Sequence, residues 1–239
     1  MFTDLVDLLH TDTVQGHFLA VTEQPPADAS FVLCHLINRA LRAGGAVRVL
    51  ALDKPPAHYR HLCAKCGADV RQAEAAGALT FVDGAQLTAR ALRSDSGALT
   101  AGGPLPVRAV FDQLTGSADR SASLLVLDNL SALAALGCRP ADLLLLVHNL
   151  QRWCRRRDAA LATLTSRDAD DRTLCQLAAA VAGSADLAVT VRGLSSGHCA
   201  EVTGELELRR PGEAALLRQF KAEDRNVRVF AAGTSRAVL

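Results

Sequence analysis

A chain of 239 residues, 49% hydrophobic and 21% charged, has the apolar content of a globular protein and the length to bury one substantial core, which excludes disorder over most of it. Its 26 Lys and Arg against 25 Asp and Glu leave a formal charge of +1, so no overall basic excess announces a nucleic-acid partner, and any such contact must use a local patch. The seven cysteines follow no framework spacing, as expected of free thiols in a reducing compartment. No apolar run approaches the roughly 18 residues of a membrane-spanning helix. The opening Met1-Phe2-Thr3-Asp4 lacks the basic-then-apolar layout of a secretory signal. The expectation is an intracellular protein of the cytoplasm or nucleus, with no membrane partner.

The first element is a buried strand, His17 to Thr22 (HFLAVT), closed by a turn at Glu23-Gln24-Pro25-Pro26. A helix follows: Phe31, Val32, His35, Leu36, Ile37, Ala40 and Leu41 recur at helical spacing, with Ser30 or Asp28 as N-cap and Gly44 as the stop. Val47 to Leu52 predicts a second strand, Tyr59 to Gly67 a short helix, and Leu79 to Val82 a third strand that ends at Asp83-Gly84. Beyond Gly84 the pattern weakens. SDSGALTAGG (94–103) reads as a loop, and a helix is predicted from about Pro106 to Leu114. Leu124 to Leu127 is a strongly apolar strand closed by Asp128. Pro140 and Asp142 open the clearest helix, which ends in Arg155-Arg156-Arg157. Ala160 to Thr165 predicts a strand and 170–182 a helix. Four more strands follow, Leu187 to Val191, Cys199 to Leu208, Leu216 to Phe220 and Val227 to Phe230. Alternating strands and helices imply one mostly parallel α/β sheet flanked by helices, with antiparallel strands at its C-terminal edge and no linker to divide residues 1–239 into two domains.

In a nucleotide-binding domain of this order, the turn after the first strand carries G-x-x-x-x-G-K-[ST], whose amides wrap the phosphates while Lys and Ser or Thr serve charge and magnesium. Here the window reads Gln24-Pro25-Pro26-Ala27-Asp28-Ala29-Ser30-Phe31. The prolines have no amide hydrogens, Asp28 repels phosphate, and Phe31 cannot ligate magnesium. No cofactor is therefore expected. Asp128 stands where a magnesium-holding carboxylate would be and Asp83 where a water-orienting acid would be, but without the loop both read better as strand-end or turn residues.

Several segments resemble one family, the sixth subunit of the Elongator complex. They are Met1-Phe2 with Leu5, Leu8 and Leu9, then Ser30-Phe31, His58-Tyr59, LVLDNLSALAALG (Leu125 to Gly137), and Gly193-Leu194 with Gly197. The ending Phe230-x-x-Gly233-x-Ser235-x-Ala237-Val238-Leu239 is the most specific. The resemblance implies a RecA-like subunit without Walker motifs, a pseudo-ATPase. It would join the fourth and fifth subunits in a hetero-hexameric ring with two copies of each. That ring is the accessory lobe of a complex that modifies the wobble uridine of certain tRNAs at carbon 5. On this reading the chain is not an enzyme, has no catalytic residues, and meets tRNA only through the assembled ring. It departs from the family in being richer in Ala and Arg, shorter between Gly84 and Leu124, and in Asp83 where the family has Glu.

Rival constellations read less well. Gly193-Leu194-Ser195-Ser196-Gly197 spells the G-x-S-x-G nucleophile elbow, with His198 beside it, but an elbow needs a following helix and Glu201 to Arg209 alternates as a strand. A hairpin turn explains these glycines better. His58, His61, Cys63 and Cys66 resemble half a zinc site, yet a helix would spread them around its axis, so no metal is expected. Candidate RNA contacts are Arg155 and Arg156, although cations there also offset the helix dipole. Arg167 and Arg172 join them, because RecA-like rings turn the loop after the fifth strand toward the channel. The aromatic fraction of 4% argues against a base-stacking platform. A diverged ATP-binding subunit and a recombinase-like DNA-binding paralogue remain as alternatives that the same fold would serve.

Overall fold

Every residue of the first strand, β1 (Phe18–Glu23), is buried. An apolar run buried on both faces belongs in the middle of a covered sheet. In the computed structural model, which describes Leu5, Leu9 and residues 16–93, 107–116, 122–194, 197, 201–223 and 226–231, that is its place. The strands β2 (Val47–Ala51), β3 (Leu79–Asp83), β4 (Leu124–Asp128), β5 (Ala160–Ser166) and β6 (Leu187–Arg192) join β1 in parallel pairings. The strands β7 (Gly204–Arg209), β8 (Leu216–Ala222) and β9 (Val227–Ala231) continue the sheet antiparallel, giving the order β3-β2-β4-β5-β1-β6-β7-β8-β9. The parallel centre and antiparallel edge agree with the sequence reading.

Successive strand side chains point to opposite faces, so β1 feeds two cores. Leu19 and Val21 face the side covered by α1 (Ser30–Arg42), α2 (Pro56–Lys65) and α3 (Val70–Ala75), and there Leu33, Ile37, Tyr59 and Val70 meet them. Phe18 and Ala20 face the side covered by α4 (Gly84–Arg93), α5 (Val107–Thr115), α6 (Leu130–Ala135), α7 (Pro140–Arg155) and α8 (Arg172–Gly183). Helices on both faces are what right-handed crossovers between parallel strands produce.

Several boundaries differ from the sequence reading. The α1 N-cap is Ala29, and neither Ser30 nor Asp28 holds that position. Ser30 is the first helical residue, and the Asp28 carboxylate accepts its amide at 2.7 Å. The α2 helix opens at Pro56, three residues before the expected Tyr59, because proline at the first helical position gives up an amide that no helix would use. Helices α3, α4 and α6 were not expected. The loop 94–103 and the strand residues Cys199 and Ala200 lie outside the described residues, and β7 is regular only from Gly204.

Arg48 is a buried cation inside a strand. Its Nη1 donates to the carbonyls of Leu114, at 3.3 Å, and Gly116, where α5 ends, so it neutralises the negative end of that helix. Arg48→Met keeps the stem and removes these bonds. Urea denaturation is expected to show a loss of about 1–2 kcal/mol.

Candidate functional site

The carboxyl ends of the parallel strands are where an open α/β sheet binds ligands. Here the β1 end is occupied by the protein's own acid. Glu23, the last residue of β1, is buried; its Oε2 accepts the Ala29 amide at 3.0 Å and its Oε1 accepts the Ser166 hydroxyl at 2.6 Å. The Ser166 Oγ in turn accepts from Asn129 Nδ2 at 2.6 Å, and Asn129 Oδ1 accepts the Ser131 amide at 2.7 Å. Ser131 Oγ closes the network by donating to the Ser166 carbonyl at 2.8 Å and accepting its amide at 3.0 Å. Strand register makes this possible, since Glu23 lies directly opposite Ser166.

The loop amides that would face a phosphate therefore point inward. Ala27 donates to the Gln24 carbonyl, Ala29 to Glu23, Ser30 to Asp28 and Val32 to the Ala29 carbonyl. Asp28 is held from the far side by Lys54 Nζ at 3.3 Å, and Lys54 also lies 3.9 Å from Asp53. The hydrogen bonds of Ser30 and the charge of Lys54 keep the Asp28 carboxyl below its usual range against the opposing pull of its burial. Phe31 turns outward from the loop and packs on Phe220 of β8, with ring centroids 5.2 Å apart. A carboxylate already bonded at the helix N-terminus repels an incoming phosphate and takes up the Ala29 and Ser30 amides.

The two expected acids separate. Asp83 caps α4, accepting the amides of Ala85 at 2.9 Å and Gln86 at 3.2 Å, and it ends the edge strand β3. Three strands intervene between β3 and β1, a gap of about 19 Å at ordinary strand spacing. Asp128 is different: it is fully buried at the end of β4, two strands from β1. Burial pushes its carboxyl up to about 7, with Asp53 and Glu23 adding to the effect and the Tyr59 hydroxyl opposing it. The buried Tyr59 hydroxyl faces this acid, and among the described residues neither group completes a hydrogen bond of good geometry.

A search of solved structures finds the same fold in a KaiC-like protein from the archaeon Pyrococcus horikoshii, with a TM-score of 0.60 at 11% identity over 90% of each chain. The fold is RecA-like. The family model described as Elongation complex protein 6 matches residues 2–228. The chain belongs to that family. Its relatives include proteins named Elongator complex protein 6 from Danio rerio, 31% identical, Xenopus tropicalis, 29%, and Homo sapiens, 27%, each aligned over the whole of both chains.

In this member of the Elongation complex protein 6 family, the four candidate arginines do not form one patch. Arg155 and Arg156 precede β5 and Arg167 follows it, so a seven-residue strand holds them about 20 Å apart at opposite ends of the sheet. Arg155 pairs with Asp186 at 3.6 Å. Arg167 shares a groove of about 580 Å³ with Arg192, Arg209 and Arg210, whereas Arg172 opens α8 directly after its N-cap Asp171. Among the former zinc candidates, Cys63 is buried beside Cys34 of α1, and among the described residues no three His, Cys, Asp or Glu are placed to hold a metal. In the G-x-S-x-G run, Ser195, Ser196 and His198 lie outside the described residues; β6 before it pairs antiparallel with β7 after it, as a hairpin does. Sequence reading missed Glu23 and Lys54. The available signal for Glu23 was an acid ending a buried strand, which needs partners to remain there.

Proposed function

We propose that this chain is a non-catalytic subunit of Elongator, assembled with the fourth and fifth subunits into a hetero-hexameric RecA-like ring that supports tRNA binding and wobble uridine modification. The observation that carries this is the filled loop. A RecA-like chain whose own carboxylate occupies the α1 N-terminus has no phosphate cradle to offer, and what the fold retains is its surfaces. In a ring, such a subunit forms a wall against a neighbour's site. Arg167, at the ligand-binding end of the sheet, is the best placed of the four arginines to meet tRNA there.

Two measurements test the reading. Titration calorimetry of the chain with magnesium and ATP is expected to show no heat of binding; binding that Asp128→Ala abolishes would establish a diverged ATPase instead. Tagged chain purified from cells is expected to bring down two other RecA-like chains. Recovery without them sinks the subunit reading.

A further inference from the structure

On the face of the sheet opposite α1, α5 and α7 leave a groove of about 490 Å³. Its floor is apolar, made by Phe111 of α5 with Leu145, Leu146 and Trp153 of α7. Leu145 is 57% exposed, the one large hydrophobic residue so exposed among the described residues. Along α7 the groove side runs Leu145, Asn149, Arg152, Arg156, steps of four, three and four residues that keep one face of the helix. The rim is cationic. Arg108, Arg152, Arg156 and Arg157 line it against the single acid Asp142, which Arg139 engages at 2.8 Å. Arg108 is paired with Asp112 at 2.9 Å, whereas Arg152 and Arg156 are exposed and have no acidic partner among the described residues.

We infer that this groove docks an acidic amphipathic helix from another protein chain, its apolar residues on Leu145 and Phe111 and its carboxylates on Arg152 and Arg156. An apolar floor between two helices, with an exposed Leu and a Trp in it, is the surface on which an amphipathic helix lays its apolar face. The unpaired arginines select the sign of the partner's charge. RNA fits less well. Phosphates gain nothing from an apolar floor, and one face of Trp153 is already covered by the Arg157 guanidinium, 4.4 Å from the ring centroid, so a base cannot stack on that side.

The inference rests on the subunit reading only for where the partner is found, and the test keeps the two apart. With p-benzoyl-phenylalanine in place of Leu145 in the purified complex, irradiation is expected to yield one main cross-link to another chain. The linked segment of about 15 residues, four helical turns, should carry excess acid and apolar residues at helical spacing. Arg152→Glu with Arg156→Glu should lower that yield about tenfold. Cross-links to tRNA, to a second copy of this chain or to its own residues 94–106 would overturn the proposal, as would none. If no complex is recovered, the subunit reading fails and the chain alone decides the groove. A labelled helical peptide with Leu at i, i+3 and i+7 and flanking Glu should bind in fluorescence anisotropy, its Lys counterpart should not, and the double variant should reverse that preference. Equal binding of both peptides by the unaltered chain overturns the groove.

Discussion

Asp128→Asn is expected to stabilise the protein, and by more as the pH rises. An acid whose folded pKa is raised binds more protons in the native state than in the unfolded one, so its contribution to stability falls as pH climbs from its ordinary value to the folded one. For Asp128 that window runs from 3.8 to about 7. Above it, holding the buried carboxylate charged costs up to about 4 kcal/mol, taking 1.36 kcal/mol per pKa unit. The amide of Asn keeps the shape and carries no charge, so the variant and the unaltered chain should match near pH 4 and diverge above it.

His35 makes the comparison sharper. Burial, with Arg39 and Arg42 adding, lowers its imidazole from 6.5 to about 4. Between those values the unfolded chain binds the extra proton, so this group makes stability rise with pH over nearly the window in which Asp128 makes it fall. In the unaltered chain the two slopes offset one another. In Asp128→Asn the His35 slope remains, reinforced by His58, whose imidazole burial also lowers, and urea midpoints are expected to climb from about pH 4 to about pH 6.5 and then level. A variant whose advantage is the same at every pH would mean that Asp128 is ionised throughout.

The architecture was legible where periodicity and punctuation agree. Strands β1 and β4 are short apolar runs ended by Glu or Asp, β2 is one interrupted only by Arg48, and α7 has Pro at its start and Arg at its end. Helices α3 and α6 span six residues each, and α3 buries only Val70, too little for a helical stripe to register. The missing phosphate loop was equally plain, because prolines and an acid contradict its chemistry residue by residue. What replaces it was not. Glu23 matters because β1 pairs with β5 in the register that sets it against Ser166, and because Asn129 and Ser131 follow β4 on the other side of β5. Those relations exist only once strands 143 residues apart in sequence are paired. The separation of the arginines, by contrast, follows from chain order alone, since Arg155 and Arg156 precede β5 and Arg167 follows it.

Glu23→Ala should cost about 2–4 kcal/mol, since it strips acceptors from the buried Ala29 amide and the half-buried Ser166 hydroxyl. Glu23→Gln should cost less, because its carbonyl oxygen still serves one of them. Neither variant is expected to bind ATP in a thermal-shift assay with magnesium. Removing the carboxylate vacates the space, yet Pro25 and Pro26 still lack amides and Asp28, fixed by Lys54, still faces the helix N-terminus. Whether the network acts as one unit is a separate question that a double-mutant cycle answers. Glu23 and Ser166 should couple by about 1 kcal/mol or more, the Glu23→Ala, Ser166→Ala pair losing less than the sum of its parts. If the two losses simply add, the loop is held by the Asp28 and Lys54 latch, and the filled site is a consequence of that latch in place of its cause.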